Sequence, residues 1–239
     1  MIDAIFIVGT GRSGTHFLCR SLLGFSNVTD LLNGKEDPTL LDYVAKAAIH
    51  HKDISDDGIE LYKNRINQSK NKIFIDQHHP TIHNITQLES HFPNSIFLGI
   101  DRPTEQIVAS MLEHKGVQKW FKYARKNDIP FPNNFLGIDS LDELKETPQH
   151  MLCTKRIVAH KKLNQLLSNN PNFKLINFEN FVIDKIKELT RVLGDDIQLL
   201  GNYTEVEVSN LRVLEKYKTV LTSKKIQEIQ QYSNLNFTP

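Results

Sequence analysis

Eight consecutive residues near the amino terminus, Gly9-Thr10-Gly11-Arg12-Ser13-Gly14-Thr15-His16, concentrate groups that hold anions. Arg12 supplies a fixed cation, Ser13 and Thr15 supply hydroxyls, and His16 supplies an imidazole N–H. The apolar run Ala4-Ile5-Phe6-Ile7-Val8 precedes them, and Phe17-Leu18-Cys19-Arg20-Ser21-Leu22-Leu23 follows as a helix. A strand that enters a glycine loop and then a helix is a cradle in which backbone N–H groups converge on an anion at the positive end of the helix dipole. Gly9 and Gly14 keep the G-x-x-x-x-G spacing of a nucleoside-triphosphate loop, but Thr15 and His16 stand where that loop carries its Lys and its Mg²⁺-binding hydroxyl. The cation sits inside the loop instead, as Arg12. The competing reading is an ordinary strand–helix turn with Arg12 facing solvent; the density of donors within one helical turn favours the anion.

A second group follows another apolar run. In Phe97-Leu98-Gly99-Ile100-Asp101-Arg102-Pro103, Arg102 falls at the carboxyl end of a strand, and Ser110 lies two helical turns further on. A guanidinium fork with a helix hydroxyl suits a second phosphate. An Asp101–Arg102 surface pair is the plainer alternative, and this group alone does not decide between them.

Together the two groups resemble the PAPS-dependent sulfotransferase superfamily. Gly11-Arg12-Ser13-Gly14-Thr15 is similar to its 5′-phosphosulfate loop, and Arg102 with Ser110 to its 3′-phosphate pair. Phe173-Lys174-Leu175-Ile176-Asn177-Phe178-Glu179-Asn180-Phe181, then Val192-Leu193-Gly194, is similar to its late strand-to-helix segment. Residues 211–226 resemble its basic loop and terminal helix. The likeness is weakest at 35–71 and 117–150. His16 departs from the pattern, which has a second threonine there. The resemblance implies PAPS as cosubstrate, no metal, and a hydroxyl (less often an amine) acceptor on a small molecule, carbohydrate or peptide. It implies that Gly11 to His16 hold the 5′-phosphosulfate, that Arg12 stabilises the departing phosphate, and that Arg102 and Ser110 bind the 3′-phosphate.

For the base that deprotonates the acceptor, two candidates stand. Glu36, in Asn33-Gly34-Lys35-Glu36-Asp37-Pro38, lies where several relatives of the resembled family carry a glutamate, although an acidic residue there also suits a helix start near Pro38. His79, in Asp76-Gln77-His78-His79-Pro80, lies in a region that resembles the histidine-bearing run of cytosolic members and has the better intrinsic pKa. Glu36 is preferred. His78, His79 and His83 do not complete a metal-ligand pattern, since Pro80 intervenes and no cysteine or carboxylate joins them.

These groups need a scaffold. Residues 2–8, 72–76, 95–100 and 173–178 read as buried parallel strands, separated by helical patterns at 81–91, 104–113, 151–167 and 180–193. That alternation predicts a single α/β domain over 1–239, with a central parallel β-sheet flanked by helices and ligands at the strand carboxyl ends. Residues 117–148, with Trp120, Phe121, Tyr123, Phe131 and Phe135, read as an acceptor-side insertion or lid, or as the core of a helical insert. Trp120 is an option for stacking on adenine. Arg212, Lys216 and Lys218 are options for closing over the 3′-phosphate. A terminal helix is expected from a cap at Thr222 or Ser223.

Composition narrows the partners. The chain has 29 Lys and Arg against 28 Asp and Glu, so no global field recruits nucleic acid or a membrane surface. Two cysteines, Cys19 and Cys153, suggest no disulfide framework. No apolar run reaches bilayer length and no secretory pattern opens the chain, so a cytoplasmic enzyme is expected. The functional alternatives are a Mg-ATP-dependent small-molecule kinase, against which Thr15-His16 argues, and a non-catalytic nucleotide-binding module.

Overall fold

The computed structural model describes residues 2–205 and 214–236. Five parallel strands, β1 (Ala4–Ile7), β2 (Val28–Thr29), β3 (Ile73–Asp76), β4 (Ser95–Asp101) and β5 (Phe173–Asn177), form one sheet in the order β2-β3-β1-β4-β5. β1 is central and wholly buried. It pairs Ala4 with Phe74 on one side and with Ser95 on the other. Its alternation splits the core: Ile5 and Ile7 join one apolar cluster, while Ala4, Phe6 and Val8 join another on the opposite face.

The helices are α1 (Thr15–Leu22), α2 (Pro38–His50), α3 (Asp56–Gln68), α4 (Ile85–His91), α5 (Thr104–Leu112), α6 (Lys115–Lys126), α7 (Leu141–Glu146), α8 (Gln149–Leu167), α9 (Phe178–Ile183), α10 (Lys185–Leu193), α11 (Tyr217–Val220) and α12 (Ser223–Asn236). Short 3₁₀ turns cover His79–Asn84 and Gly194–Leu200. α1, α9 and α10 supply side chains to the Ile5 and Ile7 cluster, and α2, α3 and α4 to the Phe6 cluster. A third cluster joins α5, α6, α8 and α12.

Where the structure departs from the sequence reading, local causes are visible. β2 has two residues, too few to show a period, and it is held by pairing Val28 with Ile73. The expected helix over 180–193 is two helices, because the Asp184 carboxylate accepts from Lys187 N and starts α10 afresh. The expected helix over 81–91 begins as a 3₁₀ turn. α12 starts as expected, with Thr222 Oγ1 accepting from Lys225 N at 3.4 Å.

Residues 117–148 are built into the third cluster. Phe121 and Phe135 are buried there, and Trp120 meets Phe135 edge-on with centroids 5.6 Å apart. These aromatics pack a helical layer, and among the described residues none of 117–148 lines the cavity beside Arg12. Trp120, the option for stacking on adenine, meets the Tyr123 and Phe135 rings edge-on and does not line that cavity. Among the described residues no helix is long and apolar enough to cross a membrane.

Candidate anion and transfer site

The connection leaving β1 runs to the β2 side of the sheet, and the one leaving β4 runs to the β5 side. The crevice between the carboxyl ends of these neighbouring strands is the topological switch point, where open α/β sheets bind ligands. Both anion-binding groups lie there.

The first loop is built to offer N–H groups. Arg12 and Gly14 take left-handed backbone, φ 76° and 120°, the alternation that forms concave anion nests. α1 begins at Thr15 with no side-chain cap bond, and among the described residues its first amides have no hydrogen-bond partner. Ser13 shapes the loop: its N and its Oγ both donate to Thr10 O, at 3.2 and 2.9 Å. Its hydroxyl is thus spent within the turn. Close approach requires a glycine at 14 and leaves little room at 11. A Cβ on Gly14 would lie 2.6 Å from Phe178 Cε2, and one on Gly11 would lie 3.2 Å from His79 Nε2.

The second group meets the first. Arg12 Nε donates to Ser110 Oγ at 3.0 Å, and Arg102 Nη1 donates to Arg12 O at 3.2 Å. Arg102 is buried, stacks over the Phe178 ring at 4.2 Å, and donates through Nε to Gln106 Oε1 at 3.0 Å. Gln106 in turn donates to Glu179 Oε1 at 3.1 Å, so among the described residues Arg102 reaches a carboxylate through an amide. Burial, then the Arg12 charge, pushes the Arg102 pKa down to about 10. A guanidinium so placed is stabilised by an anion. Arg12, Gly14, Thr15, His16, Arg102 and Ser110 all line one cavity of about 260 Å³.

Lys216, Tyr217 and Val220 also line this cavity. Lys216 Nζ bonds Glu113 Oε2 at 2.7 Å. Lys218 instead pairs with Glu215 at 2.6 Å and does not line the cavity, and Arg212 lies outside the described residues.

The candidate bases separate by environment. Asp37 is the residue that caps α2, accepting from Thr39 N at 3.0 Å and Leu40 N at 3.3 Å while pairing with Arg65 at 2.9 Å. Burial works against the Asp37 charge, but Arg65 and the cap amides outweigh it and hold its pKa low. Glu36 is thereby released from capping and turns to the loop, where its Oε1 lies 3.5 Å from His16 Nε2. The His79 ring packs against Gly11, and its carbonyl accepts from Gly9 N at 3.2 Å. Burial, followed by Arg156 and His160, pushes the His79 pKa well below the ordinary histidine value.

The structure adds a pair the sequence reading did not single out. Asp76 Oδ1 bonds His78 Nδ1, and Asp76 Oδ2 accepts from Tyr62 Oη at 3.2 Å. His78 Nε2 is buried without a partner among the described residues. Burial disfavours the imidazolium, yet Asp76 outweighs it and raises the His78 pKa. The signal in the sequence was the i, i+2 Asp and His at a strand end; only burial distinguishes it from a solvated pair. Among the described residues no three His, Cys, Asp or Glu side chains converge as a metal ion would require.

A parallel α/β sheet with two guanidiniums and an uncapped helix start at its switch point has the features that suit an anion. Comparison of the whole fold is more specific. The sulfotransferase domain from the curacin biosynthetic pathway matches at a TM-score of 0.54, with 15% identity over 100% of this chain and 99% of that one. A sulfotransferase from Alicyclobacillus acidocaldarius matches at 0.57, with 12% identity over 99% and 92%. The sulfotransferase domain of the Synechococcus PCC 7002 olefin synthase matches at 0.51, with 13% identity over 99% and 95%. No family model and no curated protein matches the sequence. The chain has the sulfotransferase fold.

Proposed function

We propose that this protein is a PAPS-dependent sulfotransferase that moves a sulfonyl group to a hydroxyl of a small molecule, carbohydrate or peptide. The observation that carries the reading is the meeting of Arg12 with Ser110 and of Arg102 with the Arg12 carbonyl. Two guanidiniums face one cavity, each short of a direct carboxylate partner among the described residues, as a nucleotide with a 3′-phosphate and a 5′-phosphosulfate would need.

In the reaction the acceptor oxygen attacks sulfur, and the bond between sulfur and the bridging oxygen of the phosphosulfate breaks. The electron pair leaves on the phosphate of adenosine 3′,5′-bisphosphate. Arg12 and the amides of Gly14 to His16 meet that growing charge in fixed positions, so little reorganisation is needed. Arg102 and Ser110 anchor the 3′-phosphate. Glu36 takes the acceptor proton. His79, with its depressed pKa, is a weak base.

The test is transfer of radiolabelled sulfate from PAPS to a panel of alcohols, phenols, sugars and peptides in the presence of a chelator. Labelled product requiring Arg12 and Glu36 supports the reading. Phosphoryl transfer from Mg-ATP, or nucleotide binding with no transfer to any acceptor, contradicts it.

A further inference from the structure

Arg156, on the inner face of α8, is a guanidinium with only 2% of its surface exposed. Among the described residues it makes no ion pair and no hydrogen bond, and its Nη1 is sealed from solvent without a partner. It lies over the Phe135 ring at 4.4 Å. His160, one turn further along α8, is 7% exposed, and its Nε2 is also buried without a partner among the described residues. His83, from the 3₁₀ turn that follows β3, joins them. Its ring centroid lies 5.7 Å from that of Phe135 and 6.5 Å from that of His160.

The cluster holds one uncompensated positive charge. Burial, opposed by Cys153, pushes the Arg156 pKa down to about 10, which leaves the guanidinium charged at neutral pH. Burial also pushes the Cys153 thiol up to about 12, so Cys153 brings no negative charge. Burial, then Arg156, pushes His83 down to about 3. Burial, then His83 and Arg156, holds His160 well below the usual histidine value. Both imidazoles are therefore neutral, and each has one N–H to donate. Water could accept those bonds, but it cannot cancel the charge that burial makes costly.

A way in is present. His83 lines a cavity of about 510 Å³ together with Asn134, Asp139, Lys155, Lys162 and Tyr232. Lys155 is paired there with Glu143, and Asp139 and Lys162 are opposite in charge, so the entrance does not repel a small anion. We infer that Arg156, His160 and His83 bind one small monovalent anion, of halide or formate size, that enters from this cavity. A single negative charge balances a single guanidinium, whereas a dianion such as phosphate would leave a net charge buried. A bulky anion does not suit side chains so nearly sealed. None of these residues lines the cavity beside Arg12, and the inference does not rest on the sulfonyl-transfer reading.

The experiment follows the melting temperature of the full chain, without nucleotide, as sodium gluconate is replaced at constant ionic strength by sodium chloride, bromide or formate. Wild type should show a saturable rise of about 5 °C. A rise with chloride and bromide alone identifies a halide; a rise with formate as well identifies a site that also takes a small carboxylate. Arg156→Met should abolish the rise. If that variant folds poorly, His160→Phe should raise the half-saturating concentration about tenfold or more, as loss of a hydrogen bond to a charged partner requires. Arg102→Ala should keep the whole rise, which separates this site from the cavity beside Arg12 whatever that cavity binds. In crystals grown with bromide, an anomalous peak should lie within hydrogen-bond reach of Arg156 and His160. Equal melting in all four salts, an undiminished rise in both the Arg156 and His160 variants, or its loss in Arg102→Ala overturns the proposal.

Discussion

His16 Nε2 lies 3.5 Å from Glu36 Oε1, joining a residue of the anion loop to the acidic residue just before α2. The contact exists because Asp37, rather than Glu36, caps that helix. His16 itself lines the cavity beside Arg12, so the contact ties Glu36 to a residue of that cavity, although Glu36 is not among its lining residues.

Glu36→Gln should lower kcat by about 10²–10⁴ with little change in nucleotide affinity, the range for loss of a general base. His16→Thr should cost less, about tenfold, because Glu36 remains. Steady-state kinetics on the two variants check the order. A larger loss at His16 than at Glu36 would contradict the assignment of the base.

Arg12→Ala should cost roughly 3 kcal/mol of transition-state stabilisation, about a hundredfold in rate. Arg12→Gly should show the same loss, and it relieves the left-handed backbone at φ 76°, so misfolding would not account for its inactivity. Turnover like wild type in Arg12→Gly would remove Arg12 from the mechanism.

Gly14→Ala should destabilise by about 1–3 kcal/mol, since its backbone is at φ 120° and its Cβ would lie 2.6 Å from Phe178 Cε2. Calorimetry should show the melting temperature falling by about 2–4 °C for each kcal/mol. Gly11→Ala should cost less in stability, because its Cβ would meet His79 Nε2 at 3.2 Å and the glycine has no left-handed φ.

His78 sets a pH dependence. Its folded pKa is raised because Asp76 outweighs burial. The stability it contributes is fully present below the unfolded value of about 6.5 and is lost as pH rises through the higher folded value. Thermal melts from about pH 6.5 upward should show wild type losing stability relative to His78→Gln. A pH-independent difference between the two proteins would show that the imidazolium is not the stabilising form.

Much of this was legible in the residues. The apolar runs around Phe6, Phe74, Phe97 and Ile176 marked four of the five strands, because a buried parallel strand leaves little for the sequence to hide. The glycines at 9, 11 and 14 with Arg12 marked the loop, because close backbone approach restricts the choice of residue. Other features depend on packing. Nothing local distinguishes Trp120 and Phe135 as core from the same residues as a lid, and only the docking of α6 decides it. The division of labour between Glu36 and Asp37 rests on which carboxylate reaches the α2 amides. The Asp76–His78 pair acquires its character from burial beneath Tyr62 and Thr81.

The central claim is that Arg12 and Arg102 together receive a nucleotide bearing anions at both ends of its ribose. Isothermal calorimetry with adenosine 3′,5′-bisphosphate, in chelator, tests it most directly, with AMP and Mg-ATP as comparisons and Arg102→Ala as control. The account predicts that the bisphosphate binds without Mg²⁺ and raises stability by about 2.7 kcal/mol at 100 times its dissociation constant. AMP should bind more weakly, and Arg102→Ala should erase the difference between them. Equal affinity for AMP and the bisphosphate, or binding of Mg-ATP in preference to both, would contradict it.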